Sequence, residues 1–124
     1  MVVPIYQLKA EFFKTLGHPA RIRVLEVLRD GEHSVGQLVP IVGIEASHLS
    51  QQLAVLRRAN LVQTRKEGAT VFYSVADPAI FELLEVAKRI LTSSLLQSRQ
   101  LLAELEGDPV PPGAPLAPRR AVRR

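Results

Sequence analysis

Cysteine is absent from this 124-residue chain. That removes disulfides, thiolate metal sites and thiol redox switches together. No apolar run approaches the ~20 residues that a membrane span needs. No charged-then-apolar signal segment opens the chain, so no membrane association is expected and the default location is the cytoplasm. Histidine is scarce: His18, His33 and His48 are the three in the chain. No two of them have the i,i+4 spacing of a helical metal site. No nucleophile stands in a recognisable relation to a base. The sequence therefore points to no metal, no cofactor and no enzyme.

One further absence is local. Residues 46 to 66 contain no acid, yet they hold Arg57, Arg58, Arg65 and Lys66. The net charge of the chain is +4 and its pI about 10.0, which suits a polyanionic partner. Residues 1 to 106 hold 12 Lys/Arg against 11 Asp/Glu, whereas residues 107 to 124 hold four Arg and one Asp. Most of the overall excess is thus in the C-terminal tail, and the acid-free stretch is the sharper clue. At 47% hydrophobic, the chain has material for one modest core but is small for an enzyme with a deep pocket.

Apolar residues at helical spacing place the elements. Ile5, Leu8, Phe12 and Leu16 predict a helix over 5–16, ended by Gly17. His18-Pro19 restarts the chain, with His18 a candidate cap and Pro19 well placed to open a helix. Ile22, Leu25 and Leu28 carry that second helix to Asp30-Gly31. Ser34 is a good N-cap for a short third helix with Val35 and Leu38. Pro40 predicts its end or a kink, and Gly43 makes the turn. A fourth helix covers 46 to 59, with Asn60 in a left-handed cap. Leu61 to Lys66 and Ala69 to Val75 read as two strands around Glu67-Gly68. Asp77 caps a last helix, on which Ile80, Leu84, Ala87, Leu91, Leu95, Leu102 and Leu105 run to about Glu106. Nearly 30 residues is long for a globular helix and suggests a partner surface. The remaining "GDPVPPGAPLAPRRAVRR" is Pro-rich and basic, and is expected to be disordered. The expected organisation is one domain over 1–106 and a disordered tail over 107–124.

The predicted fold is mainly α with a β-hairpin, in the order α-α-α-α-β-β-α: a winged helix-turn-helix with the hairpin as wing. Setting Leu49 at zero on a helical wheel puts Leu53 and Leu56 within about 40° of it. Gln51, Ser47 and Arg58 then fall at about 200°, 160° and 180°, facing outward, with Ala54 and Val55 on that side and Ser50 and His48 on its edges. Short or forked hydrogen-bonding side chains suit base edges, since Gln can pair with adenine through two bonds. Arg57, Arg58, Arg65 and Lys66 suit phosphates. A polar uncharged tip with a basic far end divides reading from anchoring. An ordinary solvated helix face would also hold such residues, and the preceding turn, following hairpin and missing acids favour the reader.

"FFKTLGHPARIRVLEVL" at 12–28, "SHLSQQLAVLRRANLV" at 47–62 and "TRKEGATVFYSV" at 64–75 together resemble the ArsR/SmtB family of bacterial repressors, over about residues 5 to 105. The resemblance implies a homodimeric winged helix-turn-helix transcription factor that binds an inverted-repeat operator in double-stranded DNA. It implies a dimer interface on the first and last helices, through Leu8, Phe12, Ile80, Leu84, Ala87, Leu91, Leu95 and Leu102. Carried over by position, Ser47, His48, Ser50 and Gln51 would face bases, and Arg65 to Gly68 would form the wing tip near the minor groove. The chain departs from the metal sensors of that family. Its third helix, "SVGQLVPIV", has no ligand, and its last helix offers Asp77, Glu82 and Glu85 without a histidine. No inducer is identified. The same faces would also serve a winged-helix module that binds a protein partner or RNA.

Overall fold

The computed structural model describes residues 2–107. The expected Pro-rich tail, from residue 108 on, lies outside the described residues. The element order is α1 (Ile5–Leu16), α2 (Pro19–Val27) with a 3-10 turn at Leu28–Asp30, β1 (His33–Ser34), α3 (Val35–Val42), α4 (Ala46–Arg58), β2 (Val62–Glu67), β3 (Thr70–Val75) and α5 (Ala79–Leu105). This is a winged helix-turn-helix, as its sequence predicts. The chain divides into two compact units between Glu82 and Leu83.

In the first unit, Val24, Leu25, Leu38, Leu49, Leu53 and Leu56 have no exposed surface. They come from α2, α3 and α4, so the three helices of the helix-turn-helix share one apolar centre. Each such leucine contributes roughly 1.5–3 kcal/mol relative to exposure. Local signals agree with this packing. His18 Nδ1 accepts the Ala20 N–H at 3.1 Å and caps α2. Ser34 and Gln37 form a reciprocal capping box on α3, satisfying two of its unpaired end groups. Asn60, at φ 62°, takes the left-handed conformation after α4. The Leu61 N–H then returns to Leu56 O and the Asn60 N–H to Arg57 O, at 2.9 and 3.0 Å, a Schellman ending that turns the chain into the wing.

Two expectations change. Of the end or kink expected at Pro40, the end is not seen: α3 continues through it to Val42. Proline removes the bond that residue 40 would give to the Gly36 carbonyl, and its ring crowds that carbonyl. The capping box at one end, the left-handed Gly43 at the other and the buried Leu38 hold the short helix together without it. The hairpin is also one part of a larger sheet, ordered β1-β3-β2. His33 pairs with Tyr73 and Ser34 with Phe72, so both lie on a short strand at the edge of the sheet. Two residues are too few to leave a period-two signature.

In the second unit, α5 leaves Ile90, Leu91, Leu95, Leu96, Leu102 and Leu105 exposed. Among the described residues no helix is long and apolar enough to cross a membrane.

Candidate nucleic-acid interface

α4 is amphipathic in a particular way. Leu49, Leu53 and Leu56 bury one side completely, while Ser47, His48, Ser50, Gln51, Arg57 and Arg58 are exposed. Every proposed reading residue is therefore on the surface of α4, on the side away from its leucine seam. No acidic side chain lies within α4; Glu45 precedes its first residue. The first turn thus presents polar side chains without an acid, beside the partial positive charge of the helix N-terminus. Ala54 and Val55 are half-buried, so the outward stripe narrows beyond Gln51 before it reaches Arg58.

The wing brings Lys66, Glu67 and Gly68 to an exposed tip. Glu67 pairs with Thr70 across the turn, and Gly68 supplies the required positive φ of 63°. Arg65 is placed differently from Lys66. Its Nε donates to both carboxylate oxygens of Glu32, at 2.9 and 3.1 Å, and its Nη1 donates to Glu67 at 3.2 Å. Its guanidinium also lies 4.8 Å from the Phe72 ring centroid. Arg65 on β2 thus crosses over β3 to the residue that precedes β1, and is held by two carboxylates of its own chain. The Arg65 hydrogen bonds keep the Glu32 carboxyl below the usual carboxylate range, and the Glu32 hydrogen bond raises the Arg65 guanidinium further still. Arg57 and Arg58, by contrast, stand in the exposed last turn of α4.

Sequence reasoning missed two residues here. Gln52 is 8% exposed and lies among the buried leucines. The Arg21 Nε donates to its Oε1 at 2.8 Å, and the Arg21 Nη1 donates to Thr15 O at 3.0 Å. Both acceptors of Arg21 are thus neutral. The helical wheel carries the signal: Gln52 falls about 70° from the centre of the leucine seam, within the buried half. The histidines do not converge on a metal. His18 and His48 stack edge to face with centroids 6.3 Å apart, and His33 Nδ1 contacts Gly31 O at 2.8 Å. Among the described residues no three His, Cys, Asp or Glu side chains are grouped to hold an ion.

The residues expected at a dimer interface are distributed unevenly. Leu8, Leu91, Leu95 and Leu102 are more than half exposed. Phe12, Leu84 and Ala87 are half-buried. Ile80 is 6% exposed, so it is a core residue of its own chain and has little surface left for a second one. It opens α5, where the helix still belongs to the first unit.

Comparison with known proteins agrees with this geometry. Residues 18–64 match the model of the arsR family of bacterial regulatory proteins. The chain is 53% identical over 103 residues to an uncharacterized HTH-type transcriptional regulator of Mycobacterium tuberculosis, Rv0081, covering 82% of this chain and 90% of that one. The crystal structure of Rv0081 superposes with a TM-score of 0.70, over 81% of this chain and 99% of the other. A biofilm growth-associated repressor of Agrobacterium fabrum is 45% identical over 76 residues, covering 61% of this chain and 65% of that one. The transcriptional activator HlyU of Vibrio cholerae is 40% identical over 77 residues, covering 62% and 71%.

Proposed function

The chain belongs to the arsR family of bacterial DNA-binding transcriptional regulators, and from that premise we propose that it is a homodimeric repressor of an inverted-repeat operator. The observation that carries this reading is the outer face of α4. Ser47, His48, Ser50 and Gln51 are exposed at one end, and Arg57 and Arg58 at the other, on a helix whose opposite side carries three fully buried leucines. The first group contacts base edges, with Gln51 suited to adenine. Arg57, Arg58, Lys66 and the backbone at Gly68 contact phosphates and fix the register. Arg65 joins them only by leaving Glu32. Residues 1–106 form the DNA-binding and dimerisation domain, working in the cytoplasm where the chromosome is.

Dimerisation rests on α1 and α5. Ile5, Tyr6, Leu8 and Phe13 are at least half exposed on α1, and Leu91, Leu95 and Leu102 on α5. Exposed apolar side chains in such numbers mark an association surface. A two-fold dimer presents its two reading helices to successive major grooves, about 34–36 Å apart on one side of the duplex. Repression follows where the operator overlaps a promoter.

The test is genomic footprinting with the purified chain. The expected result is a protected inverted repeat whose halves are about one helical turn apart, bound more weakly as salt rises. Protection without symmetry, or binding indifferent to sequence, overturns the reading. Transcription from that promoter in the presence and absence of the chain gives the sign of regulation.

A further inference from the structure

We propose that Arg21 is a specificity-determining positioning residue, which ties the rotation of the reading helix to the end of the dimerisation helix. The inference deepens the proposed function and rests on it. Three elements meet at this one guanidinium. Arg21 stands on α2; its Nη1 donates to Thr15 O in the last turn of α1, and its Nε donates to Gln52 on the inner face of α4.

Each half of the contact has its own physical reason. The last carbonyls of a helix have no partner within it, and a cation there also meets the negative end of the helix dipole. Arg21 supplies both for α1. On α4, the other inward side chains are Leu49, Leu53 and Leu56. Their burial is favourable but non-directional, so a leucine seam alone tolerates small rotations of the helix about its axis. A charge-assisted hydrogen bond is short and directional. Gln52 turns that directionality into a fixed rotation for α4. Its neighbour Gln51 is about 100° further round the helix and reads bases in the proposed complex. The amide oxygen of Gln52 faces the guanidinium because arginine has donors only. The His18–His48 edge-to-face contact joins the same α1–α2 corner to the first turn of α4, so two contacts link that corner to the reading helix.

The consequence concerns spacing rather than affinity in general. α1 carries part of the surface proposed to join two copies, and α4 carries the side chains proposed to meet bases. Arg21 lies between them. A dimer with this link intact holds its reading helices at one separation and one rotation, and so discriminates between operators by half-site spacing.

The experiment uses the full chain and the duplex it selects from a random-sequence pool. Arg21→Met/Gln52→Leu replaces the guanidinium–amide pair with apolar groups, which is close to neutral for that pair, and also removes the donor to Thr15 O. Affinity is measured for the selected duplex, for versions with one or two base pairs inserted between the half-sites, and for unrelated DNA. The double variant is expected to remain dimeric and to bind unrelated DNA as before, with the same salt slope. Its affinity for the selected duplex should fall by about tenfold, and most of its penalty for inserted base pairs should disappear. Gln52→Met, which leaves Arg21 on Thr15, carries the same test should the double variant unfold. Unchanged spacing discrimination overturns the proposal. So does a reduced salt slope, because Arg21 is then a phosphate contact. Absence of any selected duplex for the unaltered chain overturns the regulator reading itself, before a variant is compared.

Discussion

α4 and α5 are both amphipathic helices rich in leucine, and they differ in what becomes of those leucines. On α4, Leu49, Leu53 and Leu56 are completely buried within their own chain. On α5, Leu91, Leu95 and Leu102 are 63%, 66% and 55% exposed. The leucines of the first helix are covered by its own chain, and those of the second are not. The difference separates two kinds of apolar periodicity that look alike in a sequence. One specifies a core and the other, in the proposed dimer, a partner surface, and the two helices differ in length. α4 has 13 residues and α5 has 27.

Substitutions that treat the two helices alike should separate them. Leu53→Ala should cost about 2–5 kcal/mol of stability through the cavity it leaves, with much of that cost present at any chain concentration. Leu95→Glu places a charge on the α5 face and should split the dimer, because an uncompensated carboxylate is costly to bury. Sedimentation should then show a monomer, and denaturation that no longer depends on chain concentration. A persistent dimer with intact DNA binding would break the comparison and move the interface off α5.

The outer face of α4 gives the next largest effect. Gln51→Ala should weaken binding to the selected operator by about 1–3 kcal/mol and relax preference at one base position, with little change on unrelated DNA. Equal weakening on both would show that Gln51 does not read sequence. Arg58→Ala or Lys66→Ala should act in the opposite manner. Binding should weaken on all DNA, and the slope of log affinity against log salt should flatten by about 0.9 for each phosphate that the variant no longer neutralises. An unchanged slope would leave these two side chains in solvent.

Most of the architecture is legible in the sequence, and the reasons are local. The starts of α2, α3 and α5 carry capping signals that the structure uses: His18, Ser34 and Asp77 all accept backbone N–H groups. Asn60 and Gly68 mark the two left-handed positions that turn the chain into and around the wing. What stays hidden depends on long-range contacts. β1 consists of two residues made into a strand by β3. Pro40 argues for a helix end, and end-capping with burial outweighs one missing hydrogen bond. Gln52, Arg21 and the Glu32–Arg65 pair are each joined to residues more than 30 positions away. Composition near Arg65 marks a cation but not a carboxylate waiting across the sheet. Ile80 matches the partner-facing stripe in phase, yet it falls before the end of the first unit and is buried there.

The smallest expected effect concerns how the wing is held, by contrast with α4. Leucines fix α4, whereas an exposed ion pair between Arg65 and Glu32, laid over Phe72, spans the sheet from β2 to the start of β1. Exposed pairs contribute little and are screened by salt, so the contribution should be small but adjustable. The folded Glu32 carboxyl lies below its ordinary range because Arg65 hydrogen-bonds to its ionised form. A depressed carboxylate stabilises the fold above its unfolded pKa, about 4.3 for glutamate, and loses that contribution as pH falls through the lower folded value. The melting temperature of the unaltered chain should therefore slightly exceed that of Glu32→Gln at neutral pH and low salt. The gap should close as pH drops below about 4.3, and in about 1 M salt at any pH. A gap that survives both conditions would show that packing over Phe72 holds Arg65 and that charge does not.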